Sequence, residues 1–165
     1  MLDDSYGNKI STNSVDAIAS YNQGVHQFLG AEPGVEASFK AALSADPKFT
    51  LAHVGLAREM QLRGRWGDVK QSLNTAFETS PSLSAREQSH LSVSSLLLRG
   101  KSAEARVAVY EHVKEWPRDV LIAQMCTSVF GLIGFSGLPG REAEQLSFMT
   151  TLPLIMAMTG GAKLS

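Results

Sequence analysis

Three glycines in this 165-residue chain, Gly30, Gly64 and Gly100, are each followed 17 residues later by a proline, namely Pro47, Pro81 and Pro117. The glycines stand 34 and then 36 residues apart, so the two extra residues fall after Pro81, in Pro81-Ser82-Leu83-Ser84, where a loop absorbs them. A period of this length is the mark of stacked supersecondary units. Glycine ends a helix because it takes the left-handed conformation at no steric cost. Proline ends one because it lacks an amide donor and disfavours helical geometry in the residue before it. Each interval therefore reads as a helix stop, a turn, and a second helix that closes at the proline.

Apolar residues at three- and four-residue spacing fill the segments between these stops, as in Val69, Leu73, Ala76 and Phe77. The spacing predicts first helices over about 14–29, 48–63 and 85–99, and second helices over about 33–45, 66–79 and 103–116. Ser84 and Glu87 form a capping-box pattern, Pro33 suits a first helical position, and Ser102 can cap the sixth helix. No segment alternates as a strand does. A single hairpin cannot hide its apolar stripe, so neighbours must stack. The expected fold is all-α, a stack of antiparallel helical hairpins with about eight helices. It divides into an N-terminal extension 1–13, repeats at about 16–49, 50–83 and 86–119, an irregular fourth hairpin 120–152, and an atypical C-terminal tail 153–165.

Composition excludes several classes. With 15 Lys+Arg against 16 Asp+Glu, no broad positive field exists for nucleic acid. The single Cys126 excludes a disulfide framework within the chain. Met1-Leu2-Asp3-Asp4 has neither the basic start nor the apolar core of a signal peptide, so a cytoplasmic location is expected. Val120 to Gly140 carries no charge over 21 residues, but Gln124, Thr127, Ser128 and Ser136 dilute it and glycines and Pro139 interrupt it. The expectation is a buried helix to about Ile133 followed by a turn, with no membrane span.

Chemistry-bearing residues are sparse. His26, His53, His90 and His112 are scattered over different helices with no close pair at ligand spacing, so neither a metal site nor a cofactor is expected. Cys126 sits in an apolar run and reads as a buried small hydrophobe. Gly134-Phe135-Ser136-Gly137 lacks the strand and final glycine of a nucleophile elbow, since residue 138 is Leu. No spacing suggests a convergent titratable cluster, and no catalytic residue is expected.

The 34-residue unit, with Leu56-Ala57, Leu73, Ala76 and Pro81 in the second repeat and Phe39, Ala42 and Pro47 in the first, resembles the tetratricopeptide repeat family. Gln23 stands where a small residue is usual, and His112 where alanine is usual. Tyr6-Gly7-Asn8, Tyr21-Asn22-Gln23-Gly24-Val25, Asp46-Pro47 with Phe49, Ala52-His53, and Trp116-Pro117-Arg118-Asp119 are similar to the group around tetratricopeptide repeat protein 38. Members of that group are longer. The resemblance implies that this chain covers an N-terminal portion and that residues after about Pro153 are read out of frame.

The resemblance further implies a right-handed superhelix whose first helices line a concave face, and a non-catalytic role in binding a peptide or protein partner there. The groove positions it carries over are Ala17, Ser20, Gly24, Gln27 and Phe28; Leu51, Val54, Arg58, Gln61 and Leu62; and Glu87, His90, Ser94, Leu97 and Leu98. The Lys and Asn pair with which chaperone-binding members hold a carboxylate is replaced by Ser20/Gly24, Val54/Arg58 and His90/Ser94, so that clamp is absent. Arg58 is then the main cation of a mixed apolar groove. The alternatives are internal packing of these residues, or self-association through the last hairpin as a homo-oligomer.

Overall fold

The structure, a computed structural model, describes residues 1–127, 131–134 and 136–160, with side chains described as far as residue 152. The helices are α1 (Val15–Leu29), α2 (Val35–Ala45), α3 (Thr50–Leu62), α4 (Trp66–Glu78), α5 (Ala85–Leu98), α6 (Ser102–Glu115), α7 (Val120–Thr127) and α8 (Arg141–Gly160). The fold is all-α, built of packed helical hairpins: α1 lies on α2, α3 on α4, and α5 on α6, while α3 also packs against α2 and α5.

Local chemistry sets the ends. Ser14 caps α1, its Oγ accepting the Ala17 amide at 3.1 Å, and the Ser84/Glu87 capping box starts α5. Three helix ends share one motif. The amides of Glu32, Arg65 and Lys101 reach back to the carbonyls of Gln27, Met60 and Leu96 at 2.8, 2.9 and 2.9 Å, and the residue before each has positive φ. That residue is Gly64 (φ 69) after α3 and Gly100 (φ 75) after α5, but Ala31 (φ 51) after α1, where Gly30 has φ −84. The glycine-stop reading is thus off by one at the first repeat.

Two other cap expectations are corrected. Pro33 does not begin α2, because Gly34 at φ 96 forms the turn and the helix starts at Val35. Ser102 is already helical, and α6 starts after Lys101, which contributes no side-chain cap. The helix predicted to run to Ile133 is described over Val120–Thr127, and it does not reach Ile133, because residues 131–133 are bend and turn. The backbone of α8 continues through Pro153 to Gly160.

The N-terminal segment is a small antiparallel hairpin of β1 (Leu2–Asp3) and β2 (Lys9–Ile10). Ile10 is fully buried in the first core cluster. The amide and hydroxyl of Ser11 donate to the Glu87 carboxylate, the Asn8 side-chain amide donates to the Arg118 carbonyl at 3.0 Å, and the Thr12 hydroxyl donates to Asp46 at 2.7 Å. The extension is therefore a strap from the first hairpin to the third.

The core has two parts. One joins α1 to α4 with Phe39, Phe49, Leu51, Val54 and Met60; the other joins α6, α7 and α8 with Val109, Val113, Ile122, Met125 and Phe148. Helix α7 bridges them, since Leu121 belongs to the first and Ile122, Ala123, Met125 and Cys126 to the second.

Candidate functional site

Helix α7 decides what remains of the first-helix face. It packs against both α1 and α5, and its Leu121 and Met125 close over Phe28, Val54, His90 and Ser94, leaving a void of only about 10 Å³ among them. Leu51, Val54, Glu87, His90 and Ser94 are each 1% exposed or less, and Ala17, Gly24, Phe28 and Leu98 are buried as well. Gln27 turns to α2, its Oε1 accepting the Ser38 hydroxyl at 2.7 Å. Phe28, Val54, His90 and Ser94 thus lie beside α7, whereas Glu87 is engaged by Ser11 of the N-terminal strap.

The rest of the expected set opens outward. Arg58, Gln61, Leu62 and Leu97 line a cleft of about 750 Å³, together with Trp66 of α4, Ser102, Ala103 and Arg106 of α6, Gln124 and Met125 of α7, and Leu132 and Leu138 beyond it. Leu62 is 66% exposed, Trp66 58% and Leu138 44%. A cleft of roughly 300 to 1,000 Å³ with apolar walls and a few polar groups is of ligand-binding size.

Arg58 lies where this cleft meets the small void, so it stands at the cleft floor. Its Nη1 donates to Gln61 Oε1, its Nη2 donates to Gln124 Oε1 at 3.3 Å, and its guanidinium stacks 5.5 Å from the Phe28 ring centre. Burial pushes the guanidinium down to about 10. Arg106 is neutralised by Glu144, its Nη1 donating at 2.8 Å, and Tyr110 donates to the same carboxylate.

A buried polar centre was not visible as a pattern of spacing. The Asp119 carboxylate accepts from Arg86 Nη1 at 2.7 Å, His90 Nδ1 at 2.9 Å and His112 Nε2 at 3.0 Å. His112 Nδ1 shares a hydrogen bond with the Ser89 hydroxyl at 2.8 Å, and Arg86 Nη2 donates to the Lys9 carbonyl. Burial alone would raise the Asp119 carboxyl, but the neighbouring His90, the hydrogen bonds of both imidazoles and the Arg86 charge hold it well below the usual range. The histidines are thus not scattered: two of the four converge on one acid. The signal lay in the repeat register, since His112 occupies the place of Ala42 and Ala76, and Asp119 that of Phe49 and Leu83. Two apolar core positions have become an acid and its donor.

This centre is sealed, with Arg86, His90, His112 and Asp119 all under 9% exposed. Among the described residues, no group of three His, Cys, Asp or Glu could hold a metal ion. Cys126 is fully buried, and burial followed by the Glu144 charge pushes its thiol up to about 12. Among the described residues no helix is long and apolar enough to cross a membrane. Comparison with protein-family models, with curated proteins and with solved structures returns no significant match to this chain.

Proposed function

We propose that the chain is a non-catalytic, cytoplasmic protein-protein interaction module of tetratricopeptide type, and that it binds a peptide segment of a partner in the cleft between α3, α4, α5, α6 and α7. The observation that carries this reading is the pair Leu62 and Trp66, large apolar side chains more than half exposed on the wall of a 750 Å³ cleft. Exposed apolar side chains gathered at a concavity mark binding surfaces, whereas single scattered ones do not. The sealed Asp119 centre supports a structural role for the chain's most convergent titratable groups. A display selection of random peptides on the wild-type chain and on Leu62→Asp/Trp66→Ala tests this. The reading expects enriched peptides that lose binding to the double variant; no enrichment, or equal binding to the variant, would contradict it.

A second reading rests on α8, where Leu146 is 68% exposed and Met149 47%. Three residues apart, they share a helix face. Self-association through that face predicts an oligomer by light scattering that Leu146→Glu/Met149→Lys converts to monomer.

A further inference from the structure

We propose that the peptide bound in this cleft is anchored by a glutamate side chain flanked by large apolar residues, its carboxylate meeting Arg58 at the cleft floor. This rests on the docking reading above and adds to it the chemistry of the occupant. Among the described residues, the hydrogen-bond and ring partners of the guanidinium are neutral: two side-chain amide oxygens and one aromatic face. None of the ion pairs among the described residues includes Arg58, although five other arginines are paired with carboxylates. A guanidinium offers five donors in a fork that fits a carboxylate, and the two amides engage two of them. A recessed cation without a counter-ion is matched best by an anion brought from outside.

The second cation on the wall, Arg106, is already neutralised by Glu144, so one negative charge is enough. The rim fixes the rest of the ligand. Leu62, Trp66 and Leu138 stand outward around the recessed guanidinium, so the ligand must touch the rim with apolar groups while a carboxylate reaches inward. A glutamate side chain has two methylenes between backbone and charge, and its neighbours in sequence can cover the rim.

The test is calorimetric titration of the chain with blocked pentapeptides carrying one glutamate, or one glutamine, between two pairs of leucines. The proposal predicts that the glutamate peptide binds about tenfold more tightly at low ionic strength, and that added salt narrows the ratio. Arg58→Gln should bring the ratio to about one. Gln124→Glu provides a second variant that keeps the arginine and its stacking, because an internal carboxylate beside the guanidinium should also remove the preference. Equal binding of the two peptides to the wild type, or an undiminished ratio in Gln124→Glu, would overturn the glutamate anchor and leave the docking reading standing. A glutamine peptide with a free C-terminus that binds as well as the blocked glutamate peptide would also overturn it, by assigning Arg58 to a chain end. If neither pentapeptide binds while display-selected peptides without acidic residues do, the anchor is wrong; if those fail too, the docking reading falls with it.

Discussion

The ring of Phe39 on α2 occupies the space over Gly55 on α3, so closely that a Cβ added at Gly55 would lie 2.6 Å from Cζ. The same ring lies against Gly24 of α1, where an added Cβ would come within 2.9 Å. Fully buried, Phe39 thereby fixes the approach of three helices across the first two hairpins. Gln23, where the tetratricopeptide resemblance expects a small residue, is exposed, and Gly24 beside it provides the small contact.

Gly55→Ala should therefore destabilise the chain by about 1–3 kcal/mol through overpacking. Urea denaturation gives the value. Phe39→Leu in the same chain should recover part of the loss, because the two sites share one contact and their effects will not add.

Removing the charge at Asp119 should cost more. Asp119→Asn leaves the buried Arg86 without its counter-charge, a loss of about 3–5 kcal/mol at pH 7. The folded-state carboxyl is held below its unfolded value. Its contribution is therefore present above pH about 3.9 and is lost as pH falls through the folded value. The stability gap between wild type and variant should narrow at pH 3, and an unchanged gap would show that the Asp119 charge is not the source.

Ala31 is the one described residue other than glycine with positive φ. Ala31→Gly should raise stability by about 0.5–1 kcal/mol, the relief of left-handed strain less the added freedom of the unfolded chain. The same change at Ala41, an exposed residue inside α2, should lower stability. Thermal melts of the two variants give the comparison.

The strap formed by the N-terminal segment makes Ile10 a core residue. Ile10→Ala should cost about 2–5 kcal/mol. A change within about 0.5 kcal/mol, the usual effect of a surface substitution, would mean that the strap is not packed in solution.

The helical hairpins were legible in the sequence because their signals are local: a capping box at Ser84, glycines after α3 and α5, and prolines after each second helix. The off-by-one stop at Ala31 was not, since a non-glycine residue took the left-handed position there. The strap was hidden because two-residue strands carry no periodicity, and Ile10 and Thr12 become buried only through the fold. The placement of α7 over the first-helix face depends on long-range packing, so the spacing of Leu51, Val54, His90 and Ser94 could mark a common face without revealing that it is covered. Arg58, Gln61, Leu62 and Leu97 were within reach of the sequence, while Trp66, Ser102 and Arg106 join them only through the fold.

The central claim is that the first-helix face is closed, by α7 beside Phe28, Val54, His90 and Ser94 and by the N-terminal strap at Glu87, and that the cleft beside Leu62 and Trp66 is left as the docking surface. Amide chemical-shift mapping with a display-selected peptide tests it most directly. The account predicts perturbations at Gln61, Leu62, Trp66, Leu97 and Ser102, with Leu51, Val54 and Glu87 unmoved. Perturbations centred on Leu51, Val54 and Glu87 instead would contradict it, because the peptide would then have opened the face that α7 and the N-terminal strap close.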